Sequence, residues 1–367
     1  MQEIAGTYGN FNWDEQLIPK KVDQTFEELN ITWPDGSTRS LSIPTDVSKV
    51  TLPEIPEDFL RNVRGALPGG GGVNSRIAAG TIAKDAGVVN EIRYLDANRG
   101  DCLIKAELPP PTRWLELRES PKNYVLGNLN DKLIFRSPFE AAGPLNEKQF
   151  GDIAWLCEAQ TILLNSPKDP EPVSAILGQR ARSGFEVIFV LTPSLPTEFL
   201  KRVVLPEANV LIGSWDELQF LSGGSPVSIT GAALAATRLR RMAPNAEIHV
   251  TMGKRGVLSM ATGCNVLTHI ELNPRGEVAF EVQRIAVERP AGLCGAGDSF
   301  AGGLLMARAF GLSLLSGACT FPPHVHAALA GCASALRWIG FQSSLTVASF
   351  LVRPVALPAD TPWDCAA

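Results

Sequence analysis

The sequence predicts an α/β protein: a three-layer α/β/α sandwich around a mostly parallel sheet, carrying a small β-lid. Three observations predict it. From Trp155 onward, short apolar runs rich in β-branched residues alternate with helix-patterned stretches, the signature of βαβ units whose strands are covered on both faces. Residues 15–67 and 93–140 are instead rich in Pro, charge and short alternating stretches, which suit small strands and loops outside that sheet. The composition, 45% hydrophobic and 19% charged over 367 residues, supplies ample core and excludes a disordered, collagen-like or coiled-coil chain.

Taken in order, the alternating stretches Glu28–Trp33 and Tyr124–Gly127 read as lid strands. Ser75–Ala86 reads as a helix that follows the glycine run Gly69–Gly72. Thr161–Leu164, Val187–Leu191, Asn209–Ile212 and Ile248–Thr251 read as buried strands, with helices Pro172–Ser183 and Thr230–Met242 between them. The uncharged run Ala309–Leu336 is long enough to raise the question of a membrane span. Pro322-Pro323, His324, His326 and its Ser and Gly residues make it two buried helices with a break. One domain over 1–360, with lid segments 15–67 and 93–140 inserted and a tail at 361–367, accounts for the chain.

Lys and Arg number 33 against 38 Asp and Glu, a net charge of −5 without basic runs, which argues against a nucleic-acid or anionic-membrane partner and for small-molecule chemistry. The start shows no basic flank followed by an apolar core, so no secretory signal is expected. The seven cysteines are odd in number and scattered, with no CxxC pair, and read as reduced, mostly buried thiols of a cytoplasmic protein.

The sharpest chemical feature is Gly292–Leu305, where Gly295-Ala296-Gly297 turns tightly into a helical pattern. Unpaired N–H groups and the helix dipole make such a turn an anion site. Asp298 inside it would repel a phosphate, which makes sense if it takes the proton from a hydroxyl that attacks that phosphate. A plain helix N-cap is the alternative. Asn12 and Asp14 offer an amide and a carboxylate at the end of a first strand, for a polyol or simply for a turn. Gly69–Gly72 lets a ligand lie against backbone, with Asn74 near, or else is a flexible linker. Gly253 and Gly256 bracket a turn after an apolar strand, and a hairpin needing two glycines is the alternative. Asp216-Glu217 alone would be the charged first turn of a helix. No Walker A pattern occurs, which excludes P-loop kinases.

These stretches together resemble the pfkB (ribokinase-like) family of carbohydrate kinases. Gly295–Gly303 is similar to the family's GAGD signature, Gly9–Asp14 to G-x-x-N-x-D, Gly69–Asn74 to G-G-K-G-A-N, and Thr251–Gly256 to T-L-G-x-x-G. The resemblance implies a ribokinase-like fold and ATP-dependent phosphorylation of a sugar or sugar-like hydroxyl, with Asp298 as base and the amides of Gly295, Ala296 and Gly297 on the transferring phosphoryl. It implies that Asn12, Asp14, Gly70, Gly71 and Asn74 hold the acceptor. Thr192, Ser214, Glu217, Thr251, Gly253 and Gly256 would serve the nucleotide, with Glu217 ordering the water shell of Mg²⁺. A homodimer through the lid is a further expectation.

Departures from the family pattern carry their own implications. Gly292-Leu293 stands for the Asp-Thr that helps seat a monovalent cation, which argues against a potassium site. Ser214 replaces the Asn of N-x-x-E, and Thr192-Pro193 replaces an Asn-Pro. Two rival readings stand beside the sugar kinase. One is a nucleoside kinase of the same fold, with Phe11, Trp13, Trp33 or Trp114 as a wall for the base. The other is a non-catalytic binding protein that kept the pocket.

Overall fold

The computed structural model describes residues 3–10, 12–25, 28–43, 49–97, 112–115, 122–127, 132–136, 143–222, 228–264, 266–288, 295–316, 320–341 and 344–355. The chain begins with β1 (Ala5–Asn10), then β2 (Asn12–Leu17), β3 (Lys21–Gln24), β4 (Glu28–Thr32), β5 (Thr38–Ser42), β6 (Lys49–Thr51), the short helix α1 (Glu57–Arg61) and β7 (Val63–Gly69). Next come α2 (Gly71–Ala86), β8 (Ile92–Ala97), β9 (Thr112–Leu115), β10 (Lys122–Gly127) and β11 (Lys132–Arg136). Helices and strands then alternate through α3 (Glu147–Leu156), β12 (Thr161–Asn165), α4 (Pro170–Ser183), β13 (Glu186–Val190), α5 (Thr197–Phe199), β14 (Val210–Ser214), α6 (Trp215–Ser222), α7 (Ile229–Met242) and β15 (Glu247–Thr251). The chain closes with β16 (Val257–Met260), β17 (Leu267–Leu272), α8 (Glu277–Glu288), α9 (Ala296–Phe310), α10 (Pro323–Trp338) and β18 (Phe350–Val355).

Among the described residues the main sheet runs β18-β17-β16-β15-β14-β13-β12-β1-β8-β9. From β9 to β15 every neighbouring pair is parallel, and β16, β17 and β18 complete the sheet antiparallel. The parallel strands are apolar on both faces, as in Thr161–Asn165, where every residue is buried. One face packs on α3, α4, α6 and α7 through Leu156, Ile176, Leu218 and Leu239. The other packs on α2, α9 and α10 through Ile82, Leu304 and Leu329. Local signals set the helix ends: Asp169 caps α4 by accepting the Glu171 N–H at 3.1 Å, and Gly184 stops it in the left-handed conformation.

The lid is a sheet of order β6-β11-β10-β2-β7 and a second of order β3-β4-β5, closed over their own core of Ile31, Trp33, Phe59, Leu126 and Phe135. The segment 93–140 is only partly lid, because β8 and β9 extend the main sheet beside β1. Asn12 and Asp14 do not end the first strand. That strand stops at Asn10, and both residues belong to lid strand β2. Helix α2 starts at Gly71, inside the glycine run and four residues earlier than the apolar pattern suggests. The Ala309–Leu336 run divides into the end of α9 and most of α10. No described helix is long and apolar enough to cross a membrane.

Candidate active site

The carboxyl ends of β1, β12, β13, β14 and β15 lie along one edge of the sheet, where open parallel sheets gather their ligands. Helix α9 begins there. Its cap, Gly295, is left-handed at φ 85°, and a Cβ on it would fall 2.9 Å from the Trp338 ring and 3.0 Å from the Asn74 amide nitrogen. Conformation and space both demand glycine. The Ser299 N–H closes the first turn onto the Gly295 carbonyl at 2.8 Å. Ala296 and Gly297 start the helix, where backbone N–H groups have no acceptor within it.

Asp298 stands in that first turn, half-buried, with both carboxylate oxygens engaged. The Asn74 side chain donates to Oδ2 at 2.9 Å, and the Asn165 side chain donates to Oδ1 at 3.3 Å. These donors come from α2 and from the last residue of β12, so bonds spanning 224 and 133 residues meet on one carboxyl group. Asn165 also donates to the Gly71 carbonyl at 2.8 Å. Asn165 thus bridges the Gly71 carbonyl and the Asp298 carboxylate. The approach is tight: a Cβ on Gly71 would fall 2.6 Å from Asn165 Oδ1, and one on Gly9 would fall 2.5 Å from the Gly72 Cα. Two residues beyond Asn74, Arg76 pairs with Asp96 at the end of β8, both fully buried. Burial raises the Asp96 pKa, with Arg76 opposing it. The pair ties the start of α2 to β8.

The residues read as nucleotide contacts follow along the same edge. Thr192 comes after β13, and its hydroxyl accepts the Ser194 N–H at 3.2 Å. Ser214 ends β14, and its N–H donates to Glu217 Oε2 at 3.1 Å. One Glu217 oxygen therefore performs the local capping task that a charged first turn suggests. Thr251 ends β15; Gly253 and Gly256, both at positive φ, shape the connection to β16.

Asn12 lies opposite Gly69 in the β2–β7 pairing and Asp14 opposite Leu67, which sets both beside the strand that leads into the glycine loop. Their side chains, like those of Trp13 and Trp114, lie outside the described residues, as do Phe11, Gly292 and Leu293 entirely. Trp33 is no wall for a ligand. It is fully buried in the lid core, edge-on to Phe59, and its indole N–H donates to Asp58 at 2.7 Å. Sequence reading missed Asn165, whose only local signal is a polar residue ending an apolar strand. It also missed Arg136 of β11, which donates to the Ser194 hydroxyl at 3.0 Å and links the lid to the loop after β13.

Residues 121–332, more than half of the chain and including Asn165 and Asp298, match the family described as pfkB family carbohydrate kinase. The chain belongs to that family. A pfkB kinase is a phosphotransferase with a hydroxyl acceptor, and this chain is accordingly one. Solved structures give the same fold at low identity. Anopheles gambiae adenosine kinase, in complex with a di(adenosine) tetraphosphate, matches with TM-score 0.62 and 15% identity over 92% of this chain and 96% of its own. Arabidopsis thaliana ribokinase, complexed with ribose and ATP, matches with TM-score 0.56 and 15% identity over 93% and 100%. Thermotoga maritima ribokinase matches with TM-score 0.55 and 17% identity over 91% and 92%. No curated protein sequence matches the chain.

Proposed function

We propose that this pfkB kinase transfers the γ-phosphoryl group of ATP to a hydroxyl of a sugar or sugar-like acceptor, with Asp298 as general base. The observation that carries the reading is the Asp298 carboxylate, set in the first turn of α9 and gripped by the Asn74 and Asn165 amides. Beside unpaired helix-start N–H groups, a carboxylate opposes phosphate binding unless it serves the attacking hydroxyl. The acceptor's O–H bond breaks as its oxygen bonds to phosphorus. The proton passes to Asp298, and the donor leaves as ADP. The amides of Gly295, Ala296 and Gly297 stabilise charge on the transferring phosphoryl. Positioning and such charge stabilisation supply most of the rate in this chemistry, so a short set of groups suffices.

Asn12, Asp14, Gly70, Gly71 and Asn74 hold the acceptor in this reading; Thr192, Ser214, Thr251, Gly253 and Gly256 serve the nucleotide. Among the described residues, no group of three His, Cys, Asp or Glu side chains could hold a metal. A Mg²⁺ here would arrive with the nucleotide, keep much of its water shell and meet Glu217 through that water. When bound, it neutralises phosphate charge. The solved ribokinase with ribose and ATP supports the choice of donor and acceptor class. A nucleoside acceptor remains the second reading, now without Trp33 as a wall.

The test is Asp298→Asn, assayed with MgATP and D-ribose, D-fructose or adenosine, whichever the parent turns over fastest. The variant keeps its fold and nearly all its affinities, and turnover falls about 10²–10⁴-fold, the scale for losing a general base. A rate within a few-fold of the parent would reduce Asp298 to a cap. The same panel decides between sugar and nucleoside.

A further inference from the structure

The Asn165 amide is committed on every side. The residue is fully buried at the end of β12. Its two N–H bonds point at two acceptors, the Gly71 carbonyl at 2.8 Å and Asp298 Oδ1 at 3.3 Å. The Ser166 hydroxyl stands 3.1 Å from Asn165 Oδ1 and donates to it. A flipped amide would set its oxygen against two acceptors, so the orientation is dictated by the partners. Ser166 holds its place at a conformational cost. With φ 50° it is the only described non-glycine residue in the left-handed region, a conformation kept where surrounding contacts over-determine it. That turn swings the Ser166 hydroxyl onto the amide and packs both side chains against Gly71, where no Cβ would fit.

We infer that Asn165 is a positioning residue that fixes the Asp298 carboxylate and ties it to the glycine loop that lies against the acceptor. Asn74 holds Oδ2 from α2 and Asn165 holds Oδ1 from β12, so the plane of the carboxylate is set by two elements at once. Because Asn165 bonds Gly71 with its second N–H, a shift of the loop moves the base with it. The inference rests on Asp298 being the base, and Asn165 acts only through it.

The test is a double-mutant cycle on the full chain, with the same assay. Asn165→Ala lowers kcat roughly 10–100-fold, while the KM for ATP changes less than about threefold, the pattern of a misaimed group beside intact nucleotide binding. In an Asp298→Asn background, where no base remains to aim, Asn165→Ala costs less than about threefold more, and this non-additivity is the signature of action through Asp298. A purely structural residue would slow both backgrounds equally, and that result overturns the positioning role while leaving the base assignment intact. An Asp298→Asn enzyme as fast as the parent overturns the base assignment and the inference with it. Should Asn165→Ala fail to fold, Ser166→Ala frees the amide without removing it. The same loss of effect in the Asp298→Asn background is then expected on a smaller scale, and equal slowing in both backgrounds overturns the inference.

Discussion

Two parts of this sheet edge are built differently, the cluster around Asp298 and the strand ends of β13, β14 and β15. Around Asp298, residues far apart in sequence hold one another: α9 is read by Asn74 from α2 and by Asn165 from β12, and Asn165 in turn holds Gly71. Along β13, β14 and β15 the bonds are mostly local, Thr192 with Ser194, Ser214 with Glu217, and Met252 with Gly256 through backbone, with Arg136 of the lid reaching Ser194 from afar. A long-range cluster fixes geometry and tolerates little. Locally satisfied turns can shift one at a time. In the proposed reaction a base must be aimed within a fraction of an ångström, whereas a flexible triphosphate is gathered by several separate turns.

The comparison breaks first at Gly71. Gly71→Ala drives a methyl into the Asn165 amide and the Ser166 side chain, 2.6 and 2.7 Å away. Turnover is expected to fall about 10²-fold, with a stability loss of about 1–3 kcal/mol seen by thermal melting. A variant with parent-like kcat would show that the Asp298 side is as forgiving as the other.

The strand-end side sharpens the contrast through Gly253 and Gly256. A Cβ on Gly256 would fall 2.0 Å from the Ile270 carbonyl at φ 86°, while one on Gly253 meets open space. Gly256→Ala therefore costs about 2–4 kcal/mol of stability. Gly253→Asn, which suits a left-handed position, stays within about 1 kcal/mol. If Gly253 lies against the nucleotide, its variant raises the KM for ATP without moving the melting temperature. An unchanged KM removes Gly253 from the site.

The lid supplies the smallest effect. Burial alone would raise the pKa of Asp58, but hydrogen bonds from Arg39, at 2.6 Å, and from the Trp33 indole, together with the charge of Arg39, hold it below the usual carboxylate range. A depressed folded pKa means stabilisation present above the unfolded value and lost as pH falls through the folded one. Arg39 is partly exposed, so the contribution is on the order of 1 kcal/mol. Calorimetry should find Asp58→Asn less stable than the parent at neutral pH, with the gap closing below about pH 4. A gap that does not vary with pH would assign the loss to packing alone.

The glycine turns that open α9 and α2 were legible because their signals are local: a turn, then a helical pattern, within a dozen residues. Asn165 was not, since an Asn before Ser-Pro reads as any strand end. Only the third dimension brings it 3.3 Å from a carboxylate 133 residues away. Trp33 was misread for the matching reason, because an aromatic in an alternating stretch announces burial and ligand contact alike. The layers of the sandwich were legible from fully apolar strands, while β8 and β9, in a segment of lid-like composition, join the main sheet through tertiary pairing.

Gly9 and Gly72 touch backbone to backbone, and Gly71 backs onto Asn165. For a lineage drifting toward a new acceptor, this has a plain consequence. Where this loop lies against the acceptor, as proposed, any first mutational step at Gly9, Gly71 or Gly72 meets a collision before it meets a new molecule. Where Asn12 and Asp14 hold the acceptor, as proposed, change is left to strand β2, which runs beside the glycine loop rather than within it.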